Sequence, residues 1–293
     1  MLARTHGCPG MPHQNKVAIV TGAARGIGAG VAAALAKKGY SVGLVGLEGE
    51  RLRANAKAIG DNARAFEVDI TDRTSVGSAF EGVRERFGRI DAIVSNAGIA
   101  NYELLATMSV DNFRRVMAVN VEGTFNAIQA SIPHLTDSKG YFLGVASLSA
   151  VSAPPGLAVY GASKRATESL IDTFRSEMIH LGVEAGVAYF GWLTTDLVQN
   201  ADEHAAFNYM RTHLPGPLKA IAPVDLAINA IVNGVIRRKR RVMAPGWLRA
   251  AMVMRWSIAG NPSPYRKQMP EIERLLAEDK KRAGVYMSDP ARR

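Results

Sequence analysis

Lys16-Val-Ala-Ile-Val20-Thr21-Gly22-Ala-Ala-Arg25-Gly26-Ile27-Gly28 runs from a short β-branched block straight into three glycines. An alanine-rich pattern of helical period then continues to Lys38, where Gly39 stops it. A block of this kind forms a fully buried strand. Strand, glycine turn and helix together aim unpaired backbone N–H groups and the positive end of the helix at a phosphate. Gly22 allows the tight turn, Gly26 the close approach of a pyrophosphate, and Gly28 lets the helix lie on the sheet. The spacing is Gly-x-x-x-Gly-x-Gly, not the commoner Gly-x-Gly-x-x-Gly, and a plain βα turn is the competing explanation.

Further strands and helices follow in alternation. Ser41–Val45 reads as a second strand ending at Gly46-Leu47-Glu48. In dinucleotide folds an acidic residue just past this strand accepts from the ribose diol, whereas a nearby cation suits a 2′-phosphate. Gly46 occupies the acidic place, Glu48 comes two residues late, and Arg25 is positioned to sit over a 2′-phosphate. Ala65–Ile70 reads as a third strand whose Asp69 either accepts from an adenine amino group or caps the helix that begins after Thr71. A helix from Ser75 to Phe87 ends at Gly88. Ile90–Val94 is strand four, and Ser95-Asn96-Ala97-Gly98 after it are small residues suited to a backbone packed close to a ligand. This alternation predicts a parallel, right-handed, doubly wound α/β sheet with helices on both faces.

From Ser109 to Leu135 the residues Phe113, Val116, Val119, Phe125, Ile128 and Ile132 recur at helical spacing, so a long packed helical region is expected. Asn120 lies inside it. A polar side chain there holds a water, bonds a backbone carbonyl at a local irregularity, or is a satisfied core amide. Gly140–Ala146 forms strand five and delivers Ser147. Thirteen residues on, Tyr160 and Lys164 share one face of a helix. A free tyrosine titrates near pH ~10 and needs a neighbouring cation to shuttle protons at neutral pH. Lys164 is placed to be that cation, and Ser147 to hydrogen-bond an oxygen on which charge builds up.

Thr21-Gly22-x-x-x-Gly26-x-Gly28, Asp69, Asn96-Ala97-Gly98, Asn120, Ser147 and Tyr160-x-x-x-Lys164 occur in the order and at about the intervals of the short-chain dehydrogenase/reductase family, which the chain resembles over about residues 16–245. The resemblance implies a Rossmann-like domain with seven parallel strands and NAD(P) at their carboxyl ends. It implies that Tyr160 is the acid/base while hydride passes between C4 of the nicotinamide and the substrate carbon. Lys164 would lower the tyrosine pKa and hold the nicotinamide ribose, Ser147 would orient and polarise the substrate oxygen, and Asn120 would position a water linking Lys164 to solvent. After strand six, Glu184–Phe190, the family's Pro-Gly is replaced by Phe190-Gly191, and Leu193 and Thr195 are carried over as cofactor contacts. The expected cofactor set is therefore Gly22, Arg25, Gly26, Ile27, Gly28, Gly46, Leu47, Asp69, Ile70, Asn96, Ala97, Gly98, Tyr160, Lys164, Leu193 and Thr195.

Composition bounds the rest. The 293 residues, 47% of them hydrophobic, suffice for a large packed core, and the single Cys8 excludes an internal disulfide framework, as suits the cytoplasm. The six histidines, His6, His13, His134, His180, His204 and His213, show no metal-ligand spacing, so no metal is expected. Residues 1–15 lack the apolar core of a secretion signal and read as a flexible tail. The net charge of +10 resides wholly in residues 237–293, with 15 Lys+Arg against 5 Asp+Glu, while the body balances at 21 each. No aromatic-basic platform accompanies these cations, so nucleic acid is not an expected partner.

Asp196–Pro217 is expected to form a mobile helical lid over substrate, within a catalytic domain spanning 16–245. Asp225–Ile236 reads as an amphipathic helix, Arg237–Arg241 as a solvated turn, and Val242-Met-Ala as the last strand. Residues 246–293 form a basic helical extension. Within it, 247–256 is unusually apolar, and three uses compete: roof of an apolar pocket, subunit contact, or peripheral contact with anionic lipid. The first two are favoured because little polar face remains. Glu271–Arg293 is expected to be a helix with a frayed tail.

The sequence thus predicts an NAD(P)-dependent oxidoreductase acting on a secondary alcohol or ketone, apolar or cyclic, with NADP(H) favoured over NAD(H), assembled as a homodimer or homotetramer. The alternative is a nucleotide-binding regulator or scaffold of the same fold with little turnover.

Overall fold

Val17 and Ile19 project to one face of the first strand and Ala18 and Val20 to the other, and all four are buried. A strand apolar on both faces requires cover on both, which is the condition of a parallel sheet between two helical layers. The computed structural model describes residues 16–259 and 262–282. The expected tail at 1–15 and the end beyond Arg282 lie outside the described residues.

The first half consists of β1 (Lys16–Thr21), α1 (Gly26–Lys37), β2 (Tyr40–Gly46), α2 (Gly49–Ile59), β3 (Ala63–Glu67), α3 (Arg73–Phe87) and β4 (Ala92–Ser95). Next come α4 (Val110–Met117), α5 (Gly123–Ser138), β5 (Tyr141–Val145), α6 (Ala158–Met178) and β6 (Glu184–Phe190). The chain then forms α7 (Asp196–Asp202), α8 (Ala205–Thr212), α9 (Val224–Ile236) and β7 (Arg241–Ala244). Three helices close it: α10 (Leu248–Val253), α11 (Arg255–Ala259) and α12 (Met269–Arg282).

All seven strands pair in parallel in the order β3-β2-β1-β4-β5-β6-β7. One core layer packs α3, α5 and α6 on the Val17/Ile19 face, through Phe80, Ile128, Ile171 and Phe174. The other packs α1, α2 and α9 on the Ala18/Val20 face, through Leu35, Leu52, Ile231 and Val235. The strand order reverses between β1 and β4, and that switch point opens a crevice at the carboxyl ends of the strands.

Several expectations need correction. β3 ends at Glu67, so Asp69 and Ile70 lie in the loop beyond it. The long helical region is interrupted by a π-turn over Ala118–Glu122, and Phe113 and Phe125 are exposed, not packed. Arg237–Arg241 is only partly a solvated turn. Arg238 pairs with Glu184 at 3.3 Å, and Arg241 opens β7 with two nitrogens on the Asp172 carboxylate. In the 247–256 stretch Leu248 and Ala251 are buried, whereas Val253, Met254 and Trp256 are 85%, 57% and 80% exposed. Those three side chains face away from the body and do not roof a pocket. No helix among the described residues is long and apolar enough to cross a membrane.

Candidate active site

The glycine turn between β1 and α1 is held from the opposite side of the switch point. Thr21 Oγ1 accepts from the backbone N–H groups of Asn96 (3.0 Å) and Ala97 (3.1 Å), and Asn96 Nδ2 donates to the Thr21 carbonyl at 3.1 Å. Gly22 (φ +65°) and Gly26 (φ +54°) adopt the left-handed conformation that favours glycine. A Cβ on Gly26 would meet nothing nearer than Thr195 Cγ2 at 4.0 Å, so space stands open between the glycine turn and α7. The N-cap, Arg25, supplies no side-chain bond to the first turn of α1, which leaves its N–H groups available to an anion. The turn therefore fits the diphosphate of a dinucleotide.

A cavity of about 520 Å³ runs along the carboxyl ends of the strands. Its nucleotide side is lined by Gly22, Arg25, Gly26, Ile27, Gly46, Leu47, Asp69, Ile70, Asn96, Ala97, Gly98, Leu193 and Thr195, and it continues to Ser147, Tyr160 and Lys164. Of the residues expected from the sequence, Gly28 and Asn120 stand behind the lining. Asp69 Oδ1 accepts from both N–H (2.9 Å) and Oγ1 (2.8 Å) of Thr71, while Asp72 is the cap of α3. Arg25, Glu48 and Asp196 form a cluster that sequence spacing did not reveal. Arg25 Nε lies 3.0 Å from Glu48, and its Nη1 lies 3.6 Å from Asp196 at the start of α7.

Asn120 sits in the π-turn with its amide occupied. Its Oδ1 accepts from Ile99 N–H at 2.8 Å, and its Nδ2 donates to the Ile99 carbonyl and to Ser163 Oγ, both at 2.9 Å. Ser163 Oγ in turn donates to the Tyr160 carbonyl at 2.7 Å. Asn120 thus bonds backbone at a local irregularity and braces the helix that carries Tyr160 and Lys164. A Cβ on Gly98 would lie 3.1 Å from both Asn120 Oδ1 and Lys164 Nζ, a tight fit that a side chain there would relieve only by displacing one of them.

Ser147 follows β5, and its Oγ accepts from Ser149 N–H at 3.1 Å. The Ser147 side chain favours the phenolate of Tyr160, but burial outweighs this and pushes the phenol above its ordinary pKa. Burial also lowers Lys164 to about 8. Lys164 Nζ donates to the Val145 carbonyl at 2.9 Å and lies 5.8 Å from the centroid of the Tyr160 ring. The expected depression of the tyrosine pKa by this lysine is therefore absent from this arrangement. The ammonium is spent on a carbonyl, and desolvation dominates the phenol.

Beyond Tyr160 the cavity is apolar, lined by Pro154, Leu157, Trp192, Phe207, Leu214, Leu218 and Tyr265. Phe207 stacks edge-on against both Trp192 and Tyr102, with centroids 5.3 Å apart in each case. Trp192 Nε1 donates to the Leu218 carbonyl at 2.7 Å, fixing the segment after β6 against the loop that follows α8. Among these wall residues, Trp192 and Phe207 fall in stretches with a sequence signal, whereas Tyr265 has none.

Comparison with known proteins places the chain. The short chain dehydrogenase family matches residues 16–206. An uncharacterised oxidoreductase of Staphylococcus saprophyticus is 33% identical over 223 residues, 74% of this chain and 90% of the relative. The 2-(R)-hydroxypropyl-CoM dehydrogenase of Xanthobacter autotrophicus is 34% identical over 193 residues, covering 63% and 77%. The crystal structure of a 3-ketoacyl-(acyl-carrier-protein) reductase from Brucella melitensis, complexed with NADH, superposes with a TM-score of 0.71 at 26% identity, covering 79% of this chain and 97% of that one. Sequence match and strand order agree: the chain belongs to the short-chain dehydrogenase/reductase family and is an NAD(P)-dependent oxidoreductase.

Proposed function

We propose that the protein interconverts a secondary alcohol and a ketone on an apolar or cyclic frame, with NADP(H) as the hydride carrier. The observation that carries this reading is that Ser147, Tyr160 and Lys164 together line one cavity whose outer walls are apolar. The names of two similar proteins, a hydroxypropyl dehydrogenase and a ketoacyl reductase, support the same alcohol/ketone couple.

When bound, the nicotinamide supplies or accepts the hydride. The chain's own residues do the rest. Ser147 Oγ holds the substrate oxygen, and the Tyr160 hydroxyl gives it a proton during reduction and takes one back during oxidation. Lys164, once released from the Val145 carbonyl, stabilises the phenolate that reduction leaves behind. Asn120 holds α6 in register through Ser163, and a water near Lys164 belongs to the same proposal. The apolar walls exclude solvent and strengthen each of these interactions. α7, α8 and the turn that follows them form the lid, with Phe207 and Leu214 on its inner face.

NADP(H) is favoured over NAD(H) because Gly46 brings no carboxylate to the end of β2, and Arg25 borders the groove beside it. Glu48 and Asp196 now hold that guanidinium, and a 2′-phosphate dianion competes with them for it. The panel that tests the function also tests the cofactor: absorbance of the reduced nicotinamide is followed with cyclic and linear ketones, with NADPH and NADH side by side. Turnover with NADPH in preference to NADH is expected, and Arg25→Ala should raise the NADPH KM roughly 10- to 100-fold, the worth of a charged hydrogen bond, with little change for NADH. No turnover on any ketone or alcohol would favour the scaffold alternative, and a native preference for NADH would reverse the cofactor assignment.

Exposed Phe113 and Phe125, together with Val253, Met254 and Trp256 on the C-terminal side, support a homodimer or homotetramer. A cytoplasmic location is part of the same proposal and fits the single cysteine.

A further inference from the structure

The family match ends at residue 206, yet the substrate end of the cavity is completed by chain much further on. α12 packs against α8, with Ile272 and Leu276 buried in the same cluster as Phe207, Met210 and Leu214. Gln268 Nε2 donates to the His213 carbonyl at 3.2 Å, tying the start of this segment to the end of α8. One turn earlier, in a 3-10 turn over Ser263–Tyr265, Tyr265 enters the cavity lining beside the lid. Its ring packs against the apolar cluster, while its hydroxyl has no hydrogen-bond partner among the described residues. That hydroxyl is not sealed from solvent, so it is open to a water or to a ligand group in the cavity. Burial pushes its pKa up, so it stays a neutral donor across the physiological range.

We propose that Tyr265 is a specificity-determining residue: its ring packs on the apolar frame of the substrate, and its hydroxyl hydrogen-bonds a second oxygen carried by that frame away from the reacting carbon. The inference rests on the alcohol/ketone reading of the cavity, and it adds a requirement that reading lacks. The preferred substrate carries two oxygens, and the C-terminal segment recognises the second.

The test measures binding, so it does not depend on turnover. The full chain saturated with NADP⁺ is titrated calorimetrically with 1-naphthol and with 1,5-dihydroxynaphthalene. The native protein should bind the diol about 2- to 10-fold more tightly, the worth of one net hydrogen bond. Tyr265→Phe, which keeps the ring, should bring the two affinities together by weakening the diol alone. Tyr265→Ala should weaken both. No preference for the diol in the native protein, or a preference that survives Tyr265→Phe, would overturn the proposal. Absence of ketone turnover alongside the expected binding pattern would instead count against the alcohol/ketone reading and leave the Tyr265 contact standing.

Discussion

Tyr160→Phe should reduce turnover by about 10²- to 10⁴-fold, the range that a positioned acid/base contributes, while cofactor affinity and melting temperature stay close to native. The change removes one hydroxyl and no carbon. The ring remains against the lid cluster, and the glycine turn and Lys164 are untouched. Loss of rate without loss of NADPH binding is the signature of a group that acts in the transition state. The pH dependence follows from the same burial. The phenol is held above its ordinary pKa, so it is protonated at neutral pH and ready to donate, whereas Lys164 titrates at about 8. Ketone reduction should therefore run level through neutral pH and fall as pH rises past about 8, where the cation that stabilises the phenolate formed on Tyr160 is lost. A Tyr160→Phe variant retaining more than a tenth of native kcat would remove Tyr160 from the chemistry.

What the sequence disclosed and what it hid divide along a physical line. β1, β2, β4, β5 and β6 were legible because a strand covered on both faces must be apolar throughout, a property of a few consecutive residues. β3 is an edge strand with Ala63, Phe66 and Glu67 only half-buried or exposed, and its end was placed three residues late. Asn120 announced an irregularity because a polar residue in a packed helical register needs partners. The consequence for Phe125 was not legible: a π-turn inserts about one residue, and the helix beyond it rotates by roughly 100° relative to the pattern before it. The contacts of Arg25 with Glu48 and Asp196, and the entry of Tyr265 into the cavity, join residues from separate loops. Local periodicity carries no trace of such meetings. For the 247–256 segment the sequence left pocket roof, subunit contact and lipid contact in competition, because an apolar run does not say which side chains a short helix buries. α10 ends at Val253 with Leu248 and Ala251 buried and Trp247 and Met252 half-buried against the core, while Val253, Met254 and Trp256 face outward.

Gly28→Ala should abolish cofactor binding and lower the melting temperature. A Cβ there would lie 2.1 Å from the Gly22 carbonyl oxygen and 2.8 Å from Asn96 Nδ2. Neither neighbour can retreat. Gly22 is held at φ +65° with its own Cα facing Ala97, and Asn96 is bonded to Thr21 through both backbone and side chain. The methyl must therefore push α1 away from the turn, which destroys the anion-binding geometry that close contact creates. Overpacking of this kind costs about 1–3 kcal/mol or more, roughly 2–4 °C per kcal/mol in a domain of this size. Two other glycines separate this effect from a generic intolerance of substitution. At Gly30 the nearest atom, 2.2 Å away, is Ile228 Cδ1, the tip of a side chain that can change rotamer, so Gly30→Ala should cost far less. At Gly77, inside α3, nothing lies within 4 Å, and Gly77→Ala should stabilise by up to ~1 kcal/mol through helix propensity alone. Calorimetric titration with NADPH and thermal melts of the three variants give the ordering directly. If Gly28→Ala bound NADPH as tightly as the native protein, α1 could not be the element that presents the diphosphate site.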